Sequence, residues 1–243
     1  RYQLLLAVGC MSVMPAGDDD VMPELPDMPR PNHREKLQES LGGTLLVSVI
    51  VVVCIGVTYG LGVISSDSDS EDIFDILLIL VLVEAAVAFT FLGGLLLGDP
   101  GVIKRSPQTC LPLPEEVAKR LENKQPVGEM RNIKDSQGRS FCVRCFVWRE
   151  APDPKLHKVR GINSAAYAMF CRERLQRSDS TPHHCRTCGR CVPHFDHHCG
   201  VFGRCITSGN MGYFLGLIAT GVVGVGTAMI TLVMWFLGQM NRY

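Results

Sequence analysis

The sequence predicts an integral membrane α-helical protein with a cysteine-rich domain outside the membrane. Apolar residues make up 47% of the 243 residues, and they gather in three long runs, which is the pattern of membrane-spanning helices. Five of the eleven cysteines and four of the seven histidines lie between His184 and Cys205. This density of thiol and imidazole ligands indicates metal binding, and we expect irregular loops and short β-hairpins around the metal.

Residues 1–40 are predicted to form an N-terminal linker. Between residues 12 and 32 the chain has three consecutive aspartates and five prolines, a composition typical of extended or disordered segments. The sequence begins at Arg1 without a methionine, so we expect it to be a piece of a longer protein.

Residues 41–64, 73–97 and 213–237 are the three predicted transmembrane helices. The first and third carry no charged residue. At about 1.5 Å per residue, a helix of this length extends about 36 Å and can cross a hydrocarbon core of about 30 Å. Glu84 lies near the middle of the second run. A carboxylate at that depth marks either a functional site or a polar contact with a neighbouring helix.

Basic residues give the expected orientation. They flank the first two predicted spans on the same side, whereas the intervening loop, residues 65–72, carries only acids. The flanking cations are Arg30, Arg34, Lys36, Lys104 and Arg105. By the positive-inside rule, the N-terminus and residues 98–212 face the cytosol and the loop faces the lumen.

Residues 98–212 are predicted to form the cysteine-rich zinc domain. The spacing Cys-x2-Cys, repeated in this region, suits a knuckle around a tetrahedral ion, and the cytosol is reducing, so zinc is favoured over disulfides. Ten candidate ligands are present: Cys142, Cys145, His184, Cys185, Cys188, Cys191, His197, His198, Cys199 and Cys205. Two four-coordinate zinc ions need eight of them, which leaves two groups for chemistry.

The run Phe195-Asp196-His197-His198-Cys199 resembles the signature of the DHHC protein S-acyltransferases, or palmitoyltransferases. Further residues stand at the family's spacing on both sides, as does the tripeptide Asp99-Pro100-Gly101 after the second span. These are His184, Cys185, Cys188, Cys191, Cys205, Asn210 and Phe214. The resemblance implies a membrane enzyme that loads fatty acid onto cysteine.

The resemblance also implies roles for the ligands. One structural zinc ion would be held by Cys142, Cys145, His184 and Cys191. The second would be held by Cys185, Cys188, His198 and Cys205. His197 and Cys199 then remain as base and nucleophile, with Asp196 orienting His197, which is the general logic of an activated nucleophile.

The implied reaction is a two-step, ping-pong transfer. Palmitoyl-CoA or another long-chain acyl-CoA would acylate Cys199, and the acyl group would then pass to a cysteine of a membrane-associated protein at the bilayer. Arg186, Arg190 and Arg204 could meet CoA phosphates or form plain charged surface. The net charge is zero, which gives no electrostatic basis for nucleic-acid binding. The family's usual location is the Golgi or endoplasmic reticulum membrane.

Three departures from the family pattern are visible. Gly200-Val201 stands where the family has Pro-Trp, residues 146–177 contain an insertion that includes Cys171, and no fourth span precedes the end at residues 238–243. Two alternatives stay open. Gly200 and the missing fourth span favour a catalytically weak or inactive membrane-anchored zinc-binding scaffold, and the Cys-x2-Cys pairs taken alone favour a zinc-binding module of the ribbon or RING type.

Overall fold

The computed structural model describes residues 24–65, 71–151 and 182–240. Most of the predicted insertion with Cys171, most of the loop at residues 65–72 and the last three residues lie outside this range. In chain order the described elements are α1 (His33–Ile64), α2 (Glu71–Leu97), α3 (Pro107–Cys110), α4 (Glu115–Glu122), β1 (Ile133–Lys134), β2 (Ser140–Cys142), β3 (Val147–Arg149), β4 (His183–Cys185), β5 (Arg190–Val192), β6 (Phe195–Cys199), β7 (Arg204–Thr207) and α5 (Met211–Met240).

The chain divides into two compact units. Of the described residues, unit 1 contains residues 24–29 and 103–151, and unit 2 contains residues 30–65, 71–102 and 182–240. The division separates the predicted zinc ligands Cys142 and Cys145 from the remaining ones.

Unit 1 is a small antiparallel sheet with two short helices. The strand order is β1-β2-β3, and Phe141 on β2 stands opposite both Ile133 and Trp148. Phe141 is completely buried in a core with Val117 of α4 and Phe146. Val147 to Arg149, near the start of the range predicted to contain the insertion, form β3, and Phe146 belongs to the core of this unit.

Among the described residues, three helices of unit 2 are long and apolar enough to cross a membrane, namely α1, α2 and α5. Their outward side chains are apolar and exposed, as lipid-facing residues are, with Val52, Ile76 and Val222 each more than 60% exposed. The three helices and the Cys- and His-bearing hairpins fit a membrane protein with a cysteine-rich domain.

Small residues let these helices approach closely. Gly94 of α2 lies against the ring of Tyr213, and Gly216 of α5 lies against the ring of Phe91. A side chain at either glycine would overlap the ring, so the close approach requires glycine. Near the middle of α2, Glu84 Oε1 accepts a 2.9 Å hydrogen bond from the hydroxyl of Thr227 on α5. Glu84 thus faces a neighbouring helix, which supports the interpretation of this carboxylate as a helix–helix contact.

α1 begins earlier than the predicted span, which was placed at residues 41–64. The side chain of Asn32 accepts a hydrogen bond from the backbone of Glu35 and caps the helix, so the charged segment from His33 to Glu39 is helical. At about 1.5 Å per residue, 32 residues extend about 48 Å, more than a hydrocarbon core of about 30 Å requires. The first turns of α1 are therefore available to contact the hairpins of unit 2.

Candidate active site

Two antiparallel hairpins, β4–β5 and β6–β7, position the cysteine-rich motif. In the second hairpin, His198 stands opposite Cys205 and Cys199 stands opposite Arg204. The turn between these strands holds Gly203 with φ +62°, a backbone conformation that favours glycine. This tight turn brings the last predicted zinc ligand next to the Asp-His-His-Cys run.

A group of four ligands lies entirely within unit 2. The Nδ1 atom of His198 is 3.5 Å from Cys185 Sγ, 3.6 Å from Cys188 Sγ and 3.8 Å from Cys205 Sγ. The sulfurs of Cys188 and Cys205 are 3.5 Å apart. All four ligand atoms lie within 4.8 Å of one another, so the group could hold a metal ion.

The spacing of these atoms matches a tetrahedral zinc ion. Bonds of about 2.3 Å to sulfur and about 2.05 Å to nitrogen place neighbouring ligand atoms about 3.8 Å apart for two sulfurs and about 3.6 Å for sulfur and nitrogen. The four distances given above, from 3.5 to 3.8 Å, fall close to these values. Three thiols and one imidazole also form a common donor set of structural zinc sites.

The thiols of this group perturb one another. Hydrogen bonds from the thiols of Cys188 and Cys205 hold the pKa of Cys185 well below its usual value. Hydrogen bonds with Cys185 and then Cys188, together with burial, raise the pKa of Cys205. Negative charge on one sulfur therefore disfavours charge on the next, and a divalent cation among them offsets that repulsion.

The other predicted zinc set draws one pair of ligands from each unit. In unit 1, Cys142 and Cys145 are buried at the β2–β3 turn, where the Phe146 N–H donates a 2.7 Å hydrogen bond to the Cys142 carbonyl oxygen. In unit 2, His184 and Cys191 stand opposite each other on β4 and β5, with Nδ1 and Sγ 3.8 Å apart. One pair thus lies at a tight β-turn and the other is a cross-strand pair of a short hairpin, and both arrangements occur in zinc knuckles.

Strand β6 separates its neighbouring histidines. Because side chains alternate along a strand, His198 turns toward the three thiols while His197 and Cys199 share the opposite face. A register shift between Phe195 and His197 interrupts the alternation at Asp196. The carboxylate of Asp196 can therefore reach its own neighbour, and its Oδ2 lies 2.9 Å from His197 Nδ1.

The face with His197 and Cys199 looks toward the helices of unit 2. Cys199 is half-buried and packs against an apolar cluster that includes Leu95 of α2 and Leu217 of α5. Phe214 packs against the same cluster, and its ring meets the His197 ring edge to face, with the ring centres 5.6 Å apart. The predicted nucleophile thus borders apolar surface, where an acyl chain is favourably placed.

Polar contacts fix this hairpin to the helices. Asn210 is buried, accepts a hydrogen bond from the Thr207 N–H and donates one to the Cys205 carbonyl oxygen. The hydroxyl of Thr207 donates to the carbonyl oxygen of Pro100, just after α2. Asn210, which directly precedes α5, thus ties the start of that helix to the backbone of the ligand strand β7.

The sequence did not point to Glu39 or to the position of Phe214. Glu39 Oε2 lies 3.1 Å from Nε2 of His198, the imidazole nitrogen that is turned away from the thiols. In the sequence, Glu39 stands out only as a carboxylate in the charged segment before an apolar run. It lies 159 positions before His198. Phe214 packs on the ring of His197, the candidate base.

The predicted basic residues occupy different environments. Arg204 donates a 3.3 Å hydrogen bond to the carbonyl oxygen of Gly98, and Arg190 donates to the carbonyl oxygen of Gly189. These are contacts that stabilise the backbone. Arg186 is exposed, and so are Gly200 and Val201, which replace the family's Pro-Trp. Phe202, the next residue, is buried in the apolar cluster.

Comparison with protein-family models identifies the segment that carries this site. Residues 165–242 match the model described as DHHC palmitoyltransferase. The match contains the four-ligand group and the Asp196-to-Cys199 run, and it begins after Cys142 and Cys145. A comparison with curated proteins found no match.

Proposed function

Because the chain carries a DHHC palmitoyltransferase domain over residues 165–242, we propose that it is a protein S-palmitoyltransferase. It transfers a long-chain acyl group from acyl-CoA, through a thioester on Cys199, to cysteines of membrane-associated proteins. One observation carries the proposal: the Asp196–His197 pair and Cys199 lie on one strand, on a hairpin packed against apolar membrane helices. A nucleophile for a lipid substrate requires this combination of a base and an apolar surface.

In the first step His197 accepts the thiol proton of Cys199, and the sulfur attacks the carbonyl carbon of the acyl-CoA thioester. The carbonyl-to-sulfur bond of CoA breaks as the new thioester forms, and the CoA sulfur leaves with the proton that His197 returns. Asp196 accepts a hydrogen bond from Nδ1 of His197, so that Nε2 is the nitrogen that takes up the proton.

In the second step a cysteine of the acceptor protein attacks the Cys199 thioester. The acceptor loses its thiol proton to His197, a thioester forms on the acceptor, and Cys199 recovers its proton as it leaves. Free enzyme is regenerated, and no oxidant or reductant is consumed. Acyl-CoA and acceptor react in turn at one sulfur, which gives ping-pong kinetics.

Two structural zinc ions are part of the proposal. Cys185, Cys188, His198 and Cys205 hold one, and Cys142 and Cys145 join His184 and Cys191 around the other. Sites filled by four protein ligands leave no position for a reacting water molecule, so the ions stabilise the hairpins. The hairpin that carries the Asp-His-His-Cys strand then keeps a fixed position against the membrane helices of its own unit.

We propose the topology that the basic residues predict, with spans at residues 41–64, 73–97 and 213–237, the zinc domain in the cytosol and the loop at residues 65–72 in the lumen. The Golgi or endoplasmic reticulum membrane is the proposed location. Fluorescence-protease protection of a tag in each loop tests this orientation directly.

The experiment that tests the function is labelling of the protein in membranes with an alkynyl palmitoyl-CoA. We expect label that hydroxylamine releases, as a thioester requires, and that is lost in Cys199→Ser. The control is Cys171→Ser, a cysteine outside the metal pattern that is expected to leave the label unchanged. Equal labelling of the Cys199→Ser protein would contradict the proposal.

A second candidate function is a weak or inactive zinc-binding scaffold. The observation that favours it is Gly200-Val201, a small and exposed pair at the place of the family's rigid Pro-Trp. The same labelling separates the two functions, because a scaffold retains zinc and gives no label that depends on Cys199.

A further inference from the structure

The first turns of α1 lie along the metal-binding hairpins of unit 2. The N–H of Asn32 donates to the carbonyl oxygen of Thr187, in the turn between β4 and β5. Two turns later, Ser40 donates to the carbonyl oxygen of Phe202, in the turn after Cys199. The carbonyl oxygen of Lys36 lies so close to Gly203 that a side chain there would overlap it. The spacing of four residues between these contacts places them on one helix face.

Glu39 lies beside this face, where it contacts His198 and is close to Gly200. Its Oε2 is 3.1 Å from His198 Nε2, and its Oε1 is 3.4 Å from the position that a Cβ on Gly200 would occupy. The side chains of Glu39 and His198 are 20% and 17% exposed. Because this contact is largely shielded from water, it contributes more to stability than a solvent-exposed ion pair does.

We infer that Glu39 is a positioning residue that holds His198 for metal binding. A neutral imidazole carries its proton on one nitrogen and a lone pair on the other. With Nε2–H donating to Glu39, the lone pair is on Nδ1, the atom that faces the three thiols at 3.5 to 3.8 Å. Carboxylates that bind the second nitrogen of a metal-ligating histidine fix its tautomer and ring orientation in this way.

The consequence reaches the candidate nucleophile. His198 immediately precedes Cys199, and Glu39 lies against Gly200, which immediately follows it. A single residue near the start of a membrane helix therefore bonds to the side chain that precedes Cys199 and lies beside the residue that follows it. This inference rests on the proposed zinc site, and it predicts that loss of Glu39 loosens the metal first and impairs acyl transfer as a result.

The test is the rate at which the full chain, purified in detergent, releases zinc to a chromophoric chelator. All variants carry Cys199→Ser, so acyl transfer plays no part in the readout. Glu39→Ala is expected to release one zinc equivalent about 10- to 100-fold faster. Losses of metal affinity in this range are typical when a residue that hydrogen-bonds to a metal ligand is removed. Glu39→Gln keeps the side-chain volume and an acceptor oxygen, and it is expected to restore most of the retention.

The matched control is Glu35→Ala, which removes a carboxylate one turn earlier in the same helix, where it bonds to Asn32. Zinc release at the parent rate is expected there. If Glu39→Ala releases zinc at the parent rate, the inference is wrong. If Glu39→Ala does not fold, Glu39→Leu takes its place: zinc release faster than that of Glu39→Gln supports the hydrogen bond, and release at the Glu39→Gln rate overturns it.

These results are independent of the proposed function. Faster zinc release without any Cys199-dependent label keeps the role of Glu39 and removes the transferase. Cys199-dependent label together with unchanged zinc release in Glu39→Ala supports the transferase function and removes the role of Glu39.

Discussion

The hydroxyl of Ser40 donates a 2.9 Å hydrogen bond to the carbonyl oxygen of Phe202, across 162 residues of sequence. The bond joins the beginning of α1 to the turn that follows the candidate nucleophile. Phe202 itself is buried among side chains of α2 and α5. The turn at residues 200–203 is therefore held by all three long helices, and its conformation sets the position of Cys199.

Gly203→Ala is predicted to destabilise the protein, whereas Gly200→Ala is not. Gly203 has φ +62° and lies against the Lys36 carbonyl oxygen, and the left-handed conformation alone costs a non-glycine residue about 1–2 kcal/mol. At Gly200 the nearest atom is the flexible carboxylate tip of Glu39. Thermal unfolding in detergent is expected to show a lower melting temperature for Gly203→Ala only. Equal melting temperatures for the two variants would exclude this account of the turn.

Substitutions of the two adjacent histidines are predicted to have different effects on acylation rate and zinc content. His197→Gln removes the base and is expected to lower the rate of Cys199 acylation by about 10²- to 10⁴-fold, with zinc content unchanged. His198→Ala removes a ligand and is expected to lose one zinc equivalent along with activity. Single-turnover acylation and metal analysis of the same samples make the comparison. His183→Gln, in which an exposed ring that stacks on Phe195 is replaced, is the control and should match the parent in both. A drop in zinc content in His197→Gln would contradict the division of roles.

The zinc content of the intact chain is predicted to be two ions. Substitution of Cys142 and Cys145 together by serine should remove one, because two ligands cannot retain zinc against a chelator, and should leave the four-ligand group of unit 2 filled. Inductively coupled plasma mass spectrometry of purified protein measures this. A parent value of one, unchanged by the double substitution, would refute the pairing of these cysteines with His184 and Cys191.

Thr227→Val is predicted to weaken the helix bundle. The substitution conserves side-chain shape but removes the donor to Glu84, whose Oε2 is buried and has no hydrogen-bond partner among the described residues. Interhelical hydrogen bonds of this kind contribute about 0.6 kcal/mol on average and about 1.7 kcal/mol at most. Thr220→Val is the control, because that hydroxyl bonds to the Gly216 carbonyl oxygen of its own helix. Unfolding by titration with dodecyl sulfate compares the two. A larger loss in Thr220→Val would argue against the Glu84 contact.

The local features of this chain could be predicted from its sequence. Apolar runs longer than 20 residues leave little alternative to long helices, and the spacing of Cys185, Cys188 and Cys191 is that of a metal knuckle. Adjacent residues of an extended strand point to opposite faces, which is sufficient reason for His197 and His198 to face opposite ways. Their surroundings were harder to foresee.

The contacts of α1 could not be predicted, because no periodicity connects Glu39 to His198 or Ser40 to Phe202. They arise from packing between segments that are more than 150 residues apart. The early start of α1 did leave a signal, since Asn32 three residues before Glu35 is a helix N-terminal pattern. Extending the predicted helix to His33 would have placed Glu39 at the membrane boundary, on the same side as the zinc domain.

The most direct measurement is the location of the acyl group after a single turnover with palmitoyl-CoA. The purified chain would be quenched at low pH, digested and analysed by mass spectrometry under conditions that preserve thioesters. The account predicts one palmitoyl group on the peptide that contains Cys199, lost on treatment with hydroxylamine. Palmitate on a different cysteine, or an unmodified Cys199 in protein that retains both zinc ions, would contradict it.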